Sequence, residues 1–187
     1  MVLVTGASGF LGGELVKQLV ANGESVRIIV RPSSDISHLD SIKHKIEIVE
    51  GDILDVPSLE IAFEGIEKIY HSAAIIGYDD SFYDNMYKCN IEGTANVVNV
   101  ALSKGIKKLL HVSSIAAIGR NGSSAMINED NSWKTSVHNS EYAISKYGAE
   151  REVWRGIAEG LNAVIVNPGV IIGPGDWRTD SSMLFGQ

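Results

Sequence analysis

The chain has 187 residues, 44% of them hydrophobic and 21% charged, with 19 glycines and only 4 prolines. Twenty-three acidic against 16 basic side chains leave a formal charge of −7, which argues against nucleic acid or an anionic membrane as a partner, since either calls for a basic face. Cys89, the single cysteine, excludes an internal disulfide and a thiolate metal cluster. No apolar run reaches the roughly 18–20 residues of a membrane span, and the N-terminus lacks a signal-peptide pattern. The expectation is one soluble, cytoplasmic domain.

Apolar runs alternate with helical segments along the chain. Residues 2–4 form a first strand, followed by a helix in which Leu11, Leu15 and Leu19 recur every four residues beside Val16 and Val20. Val26–Val30 is a second strand and residues 46–49 a third, with a short helix at 58–63. Residues 68–73 give a fourth strand and 84–104 one long helix. A fifth strand at 109–112, a helix at 141–159 and a sixth strand at Ala163–Val166 complete the series. Near-continuous Val/Ile/Leu runs fit strands buried on both faces, as in a parallel sheet. Alternating βα units of this spacing predict a doubly wound α/β fold with helices on both faces. The Asn- and Ser-rich stretch 119–140 has no periodicity. It follows the fifth strand, at the sheet end where such folds bind ligands.

The strongest local signal is Thr5-Gly6-Ala7-Ser8-Gly9-Phe10-Leu11-Gly12, between the first strand and the first helix. Gly6 permits a tight turn, Gly9 lets backbone N–H groups approach a pyrophosphate, and Gly12 lets the helix pack closely. The helix N-terminus adds partial positive charge. The spacing is GxxGxxG rather than GxGxxG, and the Lys-Ser/Thr of a nucleoside-triphosphate loop is absent.

This loop resembles that of the extended short-chain dehydrogenase/reductases, the NAD-dependent epimerase/dehydratase group. The resemblance implies a Rossmann fold and continues through most of the chain. Gly51-Asp52-Ile53 resembles the adenine contact, with Asp52 accepting from the base. His71-Ser72-Ala73-Ala74 resembles the stretch passing the cofactor's ribose and phosphates. Asn90-Ile91-Glu92-Gly93-Thr94 matches a helix whose Asn supports a proton relay, and Asn167-Pro168-Gly169-Val170 the segment beside the nicotinamide, with Pro168 and Val170 among the cofactor contacts. Gly173-Pro174-Gly175-Asp176 then leads toward the substrate.

Cofactor choice rests on the end of the second strand. An NAD site there places a carboxylate on the ribose 2′-OH; this chain has Val30-Arg31-Pro32-Ser33-Ser34. Arg31 can bind a 2′-phosphate with Ser33 or Ser34 assisting, which resembles the dihydroflavonol-reductase-like branch. NADP(H) is therefore expected over NAD(H). The rival reading makes Arg31 an ordinary exposed arginine and gives the ribose to Asp35.

Tyr142 and Lys146 stand four apart, on one helix face. A free phenol has a pKa of ~10, and a nearby ammonium favours the phenolate. The family's third member is a Ser or Thr at the preceding strand end; counting back from Gly119 selects Ser114 rather than Ser113, to orient the substrate oxygen beside the Tyr142 hydroxyl. The resemblance also implies that Tyr142 and Lys146 contact the cofactor and that Asn90 supports a proton relay. The resemblance thus implies an NAD(P)-dependent oxidoreductase acting on a small molecule, first a dihydroflavonol-reductase-like carbonyl reductase. The alternative is a nucleotide-sugar epimerase or dehydratase, whose usual Arg-Pro and Asn-Val-Tyr-Gly are here Asn-Pro and Val-Ile-Ile-Gly. A dehydratase's added acid would come from Glu129, Asp130 or Glu141. A non-catalytic dinucleotide sensor on the same fold would lack the Tyr and Lys.

His38, His44, His71, His111 and His138 are scattered, so no metal is expected. Cys89 is read as core rather than nucleophile, and Trp133, Trp154 and Trp177 as packing residues, with Trp133 and Trp177 also placed to meet substrate. Against a family that usually exceeds 300 residues, 1–187 is expected to be the dinucleotide-binding domain, truncated before most of the substrate-binding lobe. Apolar residues such as Leu184 and Phe185 are then expected to meet another chain, with a homodimer one form of this.

Overall fold

The computed structural model describes residues 1–77, 83–119 and 127–173. Expectations placed on Pro174, Gly175, Asp176, Trp177, Leu184 and Phe185, and residues 120–126 of the aperiodic stretch, lie outside these residues.

Six strands form one parallel sheet: β1 (Val2–Thr5), β2 (Val26–Val30), β3 (Ile46–Glu50), β4 (Lys68–His71), β5 (Lys108–Val112) and β6 (Ala163–Val166). Their spatial order is β3-β2-β1-β4-β5-β6, so the chain reverses direction across the sheet between β1 and β4. That crevice, at the carboxyl ends of the strands, is where this architecture holds ligands. Thr5 is in register with Ile29 on one side and His71 on the other, which aligns the functional strand ends.

Side chains alternate across the sheet. Leu3, Ile29, Ile69 and Leu109 join a core beneath α2 (Val56–Ala62), α4 (Gly93–Ser103) and α5 (Glu141–Ala158). Val2, Val4, Val26 and Ile28 join another beneath α1 (Phe10–Ala21). β1 and β2 are buried on both faces. On β4–β6 that expectation is corrected. Tyr70 and Leu110 are half-buried and Val164 and Val166 exposed, because no described helix lies over that half of the α1 face.

Three local readings also change. A 3₁₀ segment at Ser37–Lys45 was not anticipated, since Ser, Asp, His and Lys dilute its periodicity. β4 ends at His71, two residues early. The single helix at 84–104 is instead α3 (Tyr83–Tyr87), a π turn at Lys88–Glu92 and α4. A π turn inserts one residue into the helical turn, a departure frequent at functional sites. None of the described helices is long and apolar enough to cross a membrane.

Candidate dinucleotide and catalytic site

A cleft of about 520 Å³ runs along the carboxyl ends of the strands. Gly6, Ser8, Gly9, Phe10, Leu11 and Gly12 form one wall. Gly6 has φ +74°, and a Cβ there would lie 2.6 Å from the Ala73 amide nitrogen. At Gly12 a Cβ would run into the Gly6 carbonyl, so the third glycine lets the helix pack on the turn itself. Gly9 occupies the N-cap of α1 with no side-chain cap and no acid in the first turn. The helix therefore presents backbone N–H groups to the cleft, a cradle suited to phosphate.

Arg31, Ser34, Asp52, Ile53, Ala73, Ala74 and Pro168 also line the cleft. Asp52 accepts from the Leu54 amide at 3.0 Å and is the sole carboxylate among the described lining residues. Asp35 is not in the lining; it accepts from the Ser37 amide at 2.8 Å. Val170 is also not brought in: it is 63% exposed, while its neighbours Gly169 and Ile171 line the wall. One-dimensional matching could not tell which neighbour the backbone turns inward.

At the other end stand Ser114, Tyr142 and Lys146. Ser140 caps α5 by accepting from the Ala143 amide, which sets Tyr142 in the first turn and Lys146 one turn on. Lys146 is buried, and its ammonium donates to the Val112 carbonyl at 2.9 Å. Burial lowers its pKa to about 8, against opposing pulls from Glu150 and Cys89. The Ser114 hydroxyl accepts from the Ala116 amide at 3.1 Å. Asn90 stands behind the wall, buried, its side chain fully partnered. Its Oδ1 accepts from the Ile75 amide, and its Nδ2 donates to the Ile75 carbonyl and the Ser145 hydroxyl, which in turn donates to the Tyr142 carbonyl.

The parts that Asn167 and His38 play are not given by the sequence motifs. Asn167 donates to the Ser114 carbonyl and to Glu150 of α5, tying three elements behind Ser114; the Asn-Pro departure was its only signal. His38 packs on Gly13 and its Nε2 lies 3.1 Å from the Ala7 carbonyl. Cys89 lines the cleft, and burial and nearby Asp52 push its thiol up to about 11, which leaves it unreactive as a nucleophile. Trp133 stacks on Tyr147 with centroids 4.4 Å apart. Trp154 is corrected from a packing residue to one 57% exposed. Glu141 is engaged by the Tyr87 hydroxyl at 2.6 Å. Among the described residues no three His, Cys, Asp or Glu are grouped to hold a metal ion.

This geometry agrees with the comparisons. Residues 2–186 match the model of the NAD dependent epimerase/dehydratase family. The chain belongs to that family. It is 36% identical over 178 residues to sterol demethylase protein B of Methylococcus capsulatus, covering 94% of this chain and 53% of the relative. It is 35% identical over 175 residues to a putative dihydroflavonol 4-reductase of Synechocystis, covering 92% and 50%. The crystal structure of gox2253 superposes with a TM-score of 0.87 at 34% identity, over 99% of this chain and 56% of that one. A short-chain dehydrogenase/reductase superfamily protein from Agrobacterium tumefaciens, solved with bound NAD, superposes with a TM-score of 0.75 at 27% identity, over 89% and 48%. The chain spans about half the length of the curated relatives it matches.

Proposed function

We propose that this family member is an NADP(H)-preferring reductase of carbonyl compounds, working on small molecules. The observation that carries the reading is the joint presence, in one cleft, of the glycine turn at an uncapped helix N-terminus and of Ser114, Tyr142 and Lys146. The uncapped amides, held in place by the close backbone packing at Gly6 and Gly12, fit a dinucleotide pyrophosphate. Val170 remains in this reading as a backbone contact beside the nicotinamide.

When bound, the nicotinamide supplies or accepts the hydride. The Tyr142 hydroxyl gives its proton to the substrate oxygen in reduction and removes it in oxidation. Lys146, as ammonium, stabilises the phenolate form and offers its remaining protons to the cofactor ribose. Ser114 holds the substrate oxygen, and Asn90 supports the proton relay by fixing the loop after β4 against the start of α5.

Two observations support the finer choices. Arg31 lies in the cleft wall whereas Asp35 does not, which favours a ribose 2′-phosphate over a free 2′-hydroxyl. Glu129, Asp130 and Glu141 are not in the lining, which favours a reductase over a dehydratase.

The test is NADPH oxidation with a panel of aldehydes, ketones and nucleotide sugars, together with dissociation constants for NADPH and NADH. Turnover of carbonyls, lost in Tyr142→Phe with NADPH binding intact, is expected. Turnover surviving in that variant overturns the catalytic assignment. Arg31→Ser is expected to weaken NADPH at least tenfold and leave NADH unchanged; equal losses overturn the cofactor preference.

A further inference from the structure

Beneath the cleft, three side chains and two backbone groups form one directed hydrogen-bond chain. The Ala73 amide donates to Thr5 Oγ1 at 3.2 Å. Thr5 Oγ1 lies 2.7 Å from His71 Nδ1. His71 Nε2 lies 2.9 Å from Thr94 Oγ1, and Thr94 donates to the Asn90 carbonyl at 2.6 Å. Thr5, His71, Thr94 and Asn90 are all buried.

Proton accounting fixes the direction. A hydroxyl has one proton to give. That of Thr94 goes to the Asn90 carbonyl, so Thr94 can only accept from His71. The imidazole proton therefore sits on Nε2, and Nδ1 accepts from the Thr5 hydroxyl. Thr5 keeps a lone pair for the Ala73 amide. No second ring proton has a place, and burial holds the ring neutral, with its pKa down to about 3.

The two ends of this chain belong to different parts of the site. Thr5 immediately precedes Gly6 of the glycine turn, and Ala73 lines the cleft. Asn90 stands in the π turn, where backbone bonds run to the fifth residue rather than the fourth. The Thr94 hydroxyl, four residues on, bonds the Asn90 carbonyl within that widened turn. The side chain so aimed grips Ile75 and, through Ser145, the backbone of Tyr142.

We propose that His71 and Thr94 are positioning residues of the reaction: they lock the π turn that aims Asn90, and through it the start of α5, to the strand that carries the glycine turn. The inference rests on the functional reading above. A histidine that merely fills the core would stabilise the fold without setting turnover, and the two roles separate experimentally.

The experiment pairs Thr94→Val, which keeps the shape and removes the hydroxyl, with Thr94→Ser, which keeps the hydroxyl. Val is expected to lower kcat roughly tenfold while KM and the NADPH dissociation constant stay within about twofold, with Ser restoring most of the loss. Turnover that depends on Tyr142 but is untouched by Thr94→Val overturns this inference alone. So does a loss shared equally by Ser and Val in step with a fall in Tm. Turnover that Tyr142→Phe does not reduce overturns the functional reading and this inference with it. Nitrogen-15 NMR of the full chain supplies a second measurement, free of turnover. His71 is expected to show a protonated Nε2 and an unprotonated Nδ1 from pH 8 to pH 5. A proton on Nδ1 overturns the inference whatever the kinetics.

Discussion

Lys146 donates from its buried ammonium to the carbonyl oxygen of Val112 across 2.9 Å, joining the second turn of α5 to the last residue of β5. The contact satisfies one of three ammonium protons in a site that otherwise disfavours the charge. The pKa in the folded chain is about 8, against 10.5 when unperturbed. Between those values the unfolded state binds the extra proton, so folding stability is lowest below pH 8 and rises toward pH 10.5. Lys146→Met is expected to be at least as stable as the parent at pH 7 in urea titrations, to lose that alkaline rise, and to lose turnover. In the parent, kcat/KM for carbonyl reduction is expected to fall above about pH 8 as the ammonium deprotonates. A Met variant less stable by more than about 2 kcal/mol would show that the Val112 contact outweighs the burial of charge.

His71 and His111 sit face to tilted face, ring centroids 5.1 Å apart, and both are buried. Burial, aided by the nearby Lys146 charge, holds both rings below the usual 6.5. Stability is therefore complete above pH 6.5 and is lost as pH falls below it, by about 1.4 kcal/mol per pH unit for each ring. Neither His111 ring nitrogen has a hydrogen-bond partner among the described residues. His111→Leu is expected to be neutral or stabilising at pH 7. It should also make the loss of stability with falling pH below 6.5 shallower. An unchanged slope would contradict the neutral burial of this ring.

Arg27 reaches from β2 to the end of α2, where its guanidinium donates to the carbonyls of Ala62 at 2.9 Å and Glu64 at 2.6 Å. Its ion pair with Glu47 is half exposed on the carboxylate side. Arg27→Met leaves the two carbonyls to find other donors, at a cost of about 2–3 kcal/mol in urea denaturation. Glu47→Gln removes a partly solvated charge and should cost less than about 1 kcal/mol. Equal losses would place the stabilisation in the ion pair instead.

Gly6 and Gly105 both have positive φ, +74° and +64°, but only Gly6 faces backbone where a Cβ would go. Gly105→Ala is expected to cost about 1 kcal/mol, the left-handed penalty alone. Gly6→Ala adds a clash with Ser72 and Ala73, so a larger loss is expected, together with at least tenfold weaker NADPH binding in calorimetry. Similar losses at both positions would mean the cleft wall yields freely.

The sequence by itself determined the parallel α/β class, the six strands, the glycine turn and the Tyr142–Lys146 pair. These rest on local physics: strand runs, a strand-turn-helix junction, and two residues one helical turn apart. It also placed Ser114 at the end of β5, through resemblance. What only the tertiary structure decided are relationships between residues far apart in the chain. His71 meets Thr5 and Thr94, sixty-six and twenty-three positions away. Asn167 meets Ser114. The π turn that splits the expected long helix, and the place of Arg31 rather than Asp35 in the cleft lining, belong here too. Such contacts leave no periodic trace, because hydrogen-bond partners in a buried polar chain are chosen by the register of neighbouring strands and not by spacing along one of them.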